Sequence, residues 1–240
     1  MARPGRPPEP PAAAAFVRAQ TRPGATALVP EVRLHLADEA FGLWGRTEEE
    51  AGQADLPPPF WAFAWAGGQA VARHVLDHPD LVAGRSVLDL ASGSGLVAIA
   101  AARAGAAAVT VSEVDRFALA AIALNAEANG VTLAGTLGDV LEGDGGAARV
   151  VLAGDVFYEQ PMAGRVLPFL ERAAARGAVV LVGDPGRAHL PRHRLEALAT
   201  YEVEGTLAVE GADVMRATVW RPTRRADRLL TPGGDPASIR

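Results

Sequence analysis

Two short stretches combine residue types and spacings that can do chemistry. The first is VLDLASGSG, Val87 to Gly95. An apolar strand that runs into a turn with Gly93 and Gly95, and then into a helix, brings backbone N–H groups against a ligand. Glycine permits that close approach and a positive φ. Asp89 lies inside the strand beneath the turn, where a buried carboxylate needs donors: the turn amides or the amino group of a ligand. Ala91 belongs to the same turn. After the next strand, VTVSEVD sets Glu113 where a carboxylate accepts both hydroxyls of a ribose, with Asp115 either sharing that task or capping the next helix. Asp139, in LGDV after the third strand, is placed to reach an adenine amino group. The second stretch is GDVFYEQP, in which Asp155 and Tyr158 stand three apart beyond a strand end, with Phe157 between them. A related loop, GDPGR, carries Asp184 and Arg187, which can orient a protein substrate, brace Asp155, or form a local ion pair.

The glycine spacing is not GxGxxG, and no GxxxxGK[ST] occurs, so pyrophosphate-bearing ligands such as NAD and ATP are disfavoured. A nucleoside with a charged amino-acid end and no phosphate fits better.

Strand and helix alternate at short spacing from Arg85 onward. SVLDL, Ala107 to Ser112, Val131 to Thr136, Val150 to Ala153 and Ala178 to Val182 are predicted strands. Helices are predicted over Leu96 to Ala104, Arg116 to Asn129 and Pro161 to Ala175. This pattern predicts an α/β fold, Rossmann-like, with a mostly parallel sheet and helices on both faces. A short helix is predicted after Pro191. Tyr201 to Val209 and Asp213 to Trp220 then read as two closing strands, antiparallel about a break at Glu210–Gly211–Ala212. Upstream, Val32, Leu34 and Leu36 alternate with polar neighbours as in a half-buried strand. Residues 45–59, with Glu48 to Glu50 and Pro57 to Pro59, read as a solvated connector. FWAFAWAGGQ at 60–69 concentrates aromatics, including Trp61 and Trp65, and a helix is predicted after it, ending near Pro79. Trp65 either packs near the ligand or fills core. Gln69 either bonds the ligand or serves the start of the helix. Trp44 and Trp220 read as core or edge aromatics.

The 240 residues suit a single domain: a Pro/Ala-rich disordered leader over 1–27 with a short helix possible over Ala12 to Gln20, an N-terminal strand, connector and helix over 28–84, the core over 85–221, and a loose tail over 222–240 with Arg224, Arg225 and Arg228. Hydrophobic residues make up 49% and the formal net charge is −5. That balance argues against a chain that wraps nucleic acid. The absence of cysteine excludes disulfides, thiolate nucleophiles and cysteine-ligated metals. No charge-free apolar run is long enough for a membrane span, and no secretion signal is evident, so a cytoplasmic location is expected. His189 and His193 lack a third ligand, and His35, His74 and His78 show no ligand spacing; no metal is expected.

With these residues in view, VLDLASGSG, Glu113 and the NAEANG run at Asn125 to Gly130 resemble class I, seven-strand S-adenosylmethionine-dependent methyltransferases, in which the last strand is antiparallel. The DxxY of Asp155 and Tyr158 resembles the lysine methyltransferases of that class; the Asn/Asp-Pro-Pro-Tyr/Phe pattern of small-molecule and DNA amino methyltransferases is absent. PEVRLHLA, PFWAFAWAGGQAVARHVLDHP, AGDVFYE, LVGDPGR and the final TVW are similar to the family that methylates the beta subunit of electron transfer flavoprotein, including its bacterial members. The similarity spans roughly residues 28–221 and departs at Ala66, where the family more often has proline.

The resemblance implies S-adenosyl-L-methionine as cofactor and S-adenosyl-L-homocysteine as product. It implies a cofactor site over Trp65, Gln69, Asp89, Ala91, Gly93, Gly95, Glu113 and Asp139, with Asp155 and Tyr158 at the reacting amine. A substrate channel would include Trp61, Phe157, Asp184 and Arg187. The partner implied is a protein, the electron transfer flavoprotein beta subunit; because a protein substrate needs an open face, a monomer is expected. A lysine amine has a pKa of about 10.4, so the ammonium dominates by about a thousandfold near neutrality. An apolar channel lowers that pKa, whereas a bare carboxylate raises it. Asp155 is therefore expected to aim the amine by hydrogen bonding rather than to act as a strong base. Competing readings are a ribosomal protein L11-type methyltransferase, a small-molecule N-methyltransferase, a non-catalytic interaction module of the same fold, and an NAD-binding oxidoreductase.

Overall fold

The computed structural model describes residues 10–38, 41–52, 58–204 and 214–223. The elements run α1 (Pro10–Gln20), β1 (Arg22–Gly24), β2 (Leu34–Leu36), α2 (Phe41–Ala51), α3 (Ala66–Asp77), β3 (Ser86–Leu90), α4 (Leu96–Arg103), β4 (Ala108–Glu113) and α5 (Arg116–Ala128). They continue with β5 (Ala134–Leu137), β6 (Val150–Gly154), α6 (Gln160–Ala175), β7 (Val179–Asp184), β8 (Leu195–Glu204) and β9 (Val214–Pro222). β1 and β2 form a small antiparallel pair. The other seven strands form one sheet in the order β5-β4-β3-β6-β7-β9-β8. The five from β5 to β7 are parallel, and β9 runs antiparallel to both β7 and β8.

The apolar strands are covered on both faces, as parallel sheets require. Val87, Val109, Val111, Val150, Leu152 and Leu181 meet α3 and α4. Leu88, Leu90, Val151, Ala153, Val180 and Val182 meet α6 through Val166, Phe169 and Leu170. Period-two alternation therefore assigns each strand residue to one helical layer. A third cluster joins α1 to α5, with Phe16 and Phe117 rings 5.2 Å apart.

Several expectations need correction. The short helix expected over Ala12 to Gln20 is α1, which starts at Pro10, but it buries Ala13, Phe16 and Val17, so the 1–27 segment is not all a disordered leader. The solvated connector at 45–59 begins inside a helix: α2 buries Leu43, Thr47 and Ala51, four residues apart, and leaves Glu49 and Glu50 outside. The glutamate run and the glycines at 42 and 45 obscure this sparse apolar stripe. After Pro191 there is one 3₁₀ turn, and β8 starts at Leu195, where a helix was expected. LEALAT has helical propensity, but pairing with β9 along Leu195 to Glu204 overrides it. The predicted break at 210–212, the first nine residues and the arginines at 224, 225 and 228 lie outside the described residues.

Candidate active site

The chain builds β3, β4 and β5 toward one edge, then returns to place β6 on the other side of β3. The reversal opens a crevice at the carboxyl ends of β3 and β6, where doubly wound sheets receive ligands. The turn after β3 sits in this crevice. Ala91, Gly93 and Gly95 have φ of 51°, 54° and 80°. At Gly95, which starts α4, a Cβ would come within 3.2 Å of the Ile122 side chain, so both the dihedral and the space demand glycine. At Gly93 a Cβ would meet nothing nearer than the Phe60 carbonyl at 3.9 Å; it would project into the open cleft.

Two carboxylates hold the turn. Glu113 Oε1 accepts the amide of Gly93 at 2.6 Å, and its Oε2 accepts the amide of Val114 at 3.1 Å. Asp89 is 1% exposed and accepts the Ser92 hydroxyl and, at 3.1 Å, the amide of Ala98 in α4. Burial pushes the Asp89 carboxyl up to about 7; those two donors oppose the rise and the charge of Glu113 adds to it. Burial also raises Glu113. From beneath, the fully buried Asn125 of α5 donates to the Ser94 carbonyl at 2.8 Å and accepts the amide of His35 in β2 at 2.7 Å.

On the other side of the crevice, Asp155 follows β6 with φ 55°. With Ala91 it is one of two non-glycine residues with positive φ among the described residues. Such backbone costs on the order of 1–3 kcal/mol and collects at functional sites. Asp155 Oδ2 accepts the amide of Gly68 at 2.8 Å, capping the start of α3, where no local side chain does so. Its Oδ1 accepts from Arg187 Nη2 at 2.7 Å and Nε at 3.2 Å. Burial pushes the Asp155 carboxyl up to about 6, with Arg187 pulling the other way.

Three glycines make this contact possible. A Cβ on Gly67 would lie 2.3 Å from the Gly183 carbonyl and 2.6 Å from Asp155 Oδ2; one on Gly154 would lie 2.6 Å from the Cα of Gly68; one on Gly183 would lie 1.9 Å from the Gly67 carbonyl. The start of α3 thus presses backbone to backbone against the ends of β6 and β7. Trp65, just before α3, lines the cleft, donates its Nε1–H to the Phe60 carbonyl at 2.9 Å and lies under the Arg187 guanidinium at 5.6 Å. Phe60 joins Trp65 to Tyr158, with ring centroids at 5.7 and 5.1 Å.

Along this frame, 202 residues are 37% identical to the electron transfer flavoprotein beta subunit lysine methyltransferase of Rattus norvegicus, covering 80% of this chain and 77% of that protein. The chain belongs to the electron transfer flavoprotein beta subunit lysine methyltransferase family. The human family member is 35% identical over 202 residues, covering 80% of this chain and 75% of its own length. This family member is therefore an S-adenosylmethionine-dependent protein methyltransferase. The family model for ribosomal protein L11 methyltransferase matches residues 74–154, the segment that contains the glycine turn. In fold, the chain is similar to the Pyrococcus abyssi tRNA (uracil-54, C5)-methyltransferase in complex with S-adenosyl-L-homocysteine, with a TM-score of 0.52 and 14% identity over 84% of this chain and 44% of that one.

Of the residues expected at the family's site, the crevice brings together Trp65, Asp89, Ala91, Gly93 and Asp155. Glu113 and Gly95 hold the turn itself, and Arg187 reaches in from the loop after β7. Tyr158 stands 40% exposed at the mouth; burial of its ring raises the phenol pKa, and no hydrogen bond joins it to Asp155. Asp184 is 1% exposed and accepts the amides of Gly186 and Arg187, at 2.6 and 2.7 Å. It braces the loop from below and leaves its Oδ2 without a hydrogen bond. Asp115 takes its alternative role as the cap of α5, accepting the amide of Phe117.

Two expected channel residues are corrected, and two expected cofactor residues have partners within the chain. Trp61 does not line a channel: it is 1% exposed in the α1–α5 cluster and stacks 6.4 Å from Phe117. Phe157 is fully buried in the cluster under α6, because the turn after Asp155 directs it to the opposite layer. Asp139, after β5, pairs its carboxylate with Arg165 of α6 at 2.6 Å and accepts the Leu141 amide. Gln69 takes its alternative role at the start of α3: it is buried and donates to the Ala64 carbonyl at 2.7 Å, bracing the segment before the helix. Sequence reasoning missed Phe60, Phe63 and Ser92. The aromatic concentration at 60–65 announced the first two as a group, but not which rings face the cleft. Among the described residues, no cluster of three His, Asp or Glu side chains is arranged to hold a metal, and no helix is long and apolar enough to cross a membrane.

Proposed function

We propose that the chain is a protein-lysine N-methyltransferase acting on the electron transfer flavoprotein beta subunit. The observation that carries the reading is Asp155, held at the end of β6 in one cleft with Gly93 and Trp65, from which ring contacts continue through Phe60 to Tyr158. S-adenosylmethionine supplies the sulfonium-borne methyl group when bound. The residues suit it: an open Gly93 edge and two buried carboxylates match a nucleoside with a cationic amino-acid end. Glu113 keeps lone pairs on both oxygens after accepting Gly93 and Val114, and these accept the ribose hydroxyls. Asp89 and the turn from Ala91 to Gly95 receive the amino-acid end.

The aromatic wall excludes water from the lysine stem and lowers the amine pKa by desolvation. Asp155 accepts a hydrogen bond from the amine and aims its lone pair at the methyl group, and Tyr158 closes the mouth. Alignment of this kind accounts for much of the rate. The same reading has the enzyme working as a monomer in the cytoplasm and belonging to a bacterial branch of the family.

The test is intact-mass measurement on purified electron transfer flavoprotein incubated with the enzyme and S-adenosylmethionine, followed by fragmentation. The chain contains no lysine, since all 23 of its basic side chains are arginine, so any methyl-lysine formed must lie on the partner. Increments of one methyl mass on beta-subunit lysines are expected. No increment, in a preparation that binds S-adenosylhomocysteine, removes this substrate. The match of residues 74–154 to ribosomal protein L11 methyltransferase makes L11 the second substrate to assay.

A further inference from the structure

Asp155 faces a conflict that its surroundings address. A carboxylate beside the substrate amine aims it, yet its negative charge favours the ammonium form, which has no lone pair with which to attack. In this fold the carboxylate is not bare. The Arg187 guanidinium donates twice to Oδ1, at 2.7 and 3.2 Å, and the pair is largely shielded, with side chains 10% and 24% exposed for Asp155 and Arg187. Arg187 is itself anchored. Asp184 accepts its backbone amide, Gly186 donates to the same Asp184 oxygen, and the Trp65 ring supports the guanidinium from the cleft side. β6, β7 and the start of α3 are thereby closed into one circuit around a single carboxylate.

We propose that Arg187 is a positioning residue that neutralises Asp155, so that Asp155 aims the lysine nitrogen by hydrogen bonding without trapping it as an ammonium ion. The proposal rests on the lysine-methyltransferase reading. The groups facing Asp155 are Arg187 and Asp184 from the β7 side and the Gly68 amide from α3. The charged residues of α3, Arg73, His74 and Asp77, lie in its second half, where Arg73 pairs with Glu31 and Asp77. Asp184 is a second acid near the amine, and its own fixed contacts turn it toward the loop amides. In this arrangement Arg187 offsets the charge of one acid while a second acid fixes its position.

The experiment is the pH profile of kcat for wild type, Arg187→Gln and the double variant Asp155→Asn/Arg187→Gln, with folding checked by thermal melting. Removing a positive charge raises both titrations of the coupled Asp155–amine pair, so the basic limb of Arg187→Gln should rise by about one unit. Activity near pH 7.5 then falls roughly tenfold and recovers by pH 9.5, because a deprotonation step shifted by one unit costs tenfold below its pKa. The double variant, again neutral, should return the limb to its wild-type position at a lower plateau. A loss by the same factor at every pH, or an unmoved limb in Arg187→Gln, would overturn the proposal. A carboxyl ¹³C titration of Asp155 in the enzyme alone gives a readout independent of substrate: its midpoint should rise in Arg187→Gln, and an unchanged midpoint also overturns the proposal. If wild type methylates no flavoprotein lysine, the substrate assignment falls, while the titration still judges the pair.

Discussion

Glu113, at the end of β4, accepts the amide of Gly93, in the turn after β3, at 2.6 Å. The acid therefore shapes the turn, and on the proposed reading it also accepts the ribose, so removing it should do two things. Glu113→Gln keeps an acceptor oxygen and should weaken cofactor binding about tenfold with little loss of fold, whereas Glu113→Ala leaves the Gly93 amide without a partner and should cost about 1–3 kcal/mol of stability as well. Calorimetric titration with S-adenosylhomocysteine and chemical denaturation separate the two effects. Equal stability of both variants would contradict a structural role.

Cofactor affinity should depend on pH through Asp89. Its carboxyl is pushed up to about 7 in the free protein, mainly by burial. A cationic ligand favours the ionised form, so affinity for S-adenosylmethionine should increase as pH rises from 6 to 8, with protons released on binding. The effect on folding has the opposite sign. A raised carboxyl pKa contributes stability that is fully present below the unfolded value of about 3.9 and is lost as pH rises through about 7. The free protein should therefore melt at lower temperature at pH 8 than at pH 5.5 as far as Asp89 and Asp155 decide it, and saturating cofactor should narrow that gap. Melting curves with and without cofactor at the two pH values provide the check.

Adjacent glycines at the start of α3 should respond differently to alanine. Gly67→Ala drives a Cβ to within 2.3 Å of the Gly183 carbonyl, backbone that cannot swing aside. Overpacking of this kind costs about 1–3 kcal/mol or more and should also displace Asp155. Gly68→Ala meets only the Val97 side chain, at 3.9 Å. Since alanine is worth about 1 kcal/mol over glycine within a helix, Gly68→Ala should keep or raise stability. It places a methyl group at the cleft, however, and should weaken cofactor binding. Denaturation midpoints and cofactor titration of the two variants are expected to rank in opposite orders.

Asn125 ties the glycine turn to β2 through its two hydrogen bonds. Asn125→Ala should cost about 2–3 kcal/mol, because it leaves the Ser94 carbonyl and the His35 amide unpaired in a part-buried setting. It should also weaken cofactor affinity although Asn125 touches no ligand. Hydrogen exchange at His35 measures the loosened strand directly, and unchanged exchange would contradict the bridge.

Much of this molecule was legible along the chain because its signals are local. SVLDL, the SGSG turn and the helix after it are one contiguous unit: strand periodicity, positive-φ glycines and a helix start are written within twenty residues, so Asp89, Gly93 and Gly95 fall in place once the sheet forms. GDVFY and GDPGR likewise announced two strand-end loops. What the sequence could not decide was direction and company. Trp61 and Trp65 are four apart in the same aromatic run, yet one is sealed between α1 and α5 and the other borders the cleft, because the 3₁₀ turn Phe60–Ala62 precedes α3 and breaks any common helical face. Asp139 and Asp155 both follow strands in GD pairs, yet β5 lies at the sheet edge, where α6 offers Arg165, and β6 lies at the switch point, where Gly68 and Arg187 converge. The Gly67–Gly68 pair, Gly154 and Gly183 are distant in sequence and meet only because the sheet order sets α3 across β6 and β7. Residue types and turn chemistry determined which groups were available; long-range packing, which no local pattern encodes, decided which of them share one carboxylate.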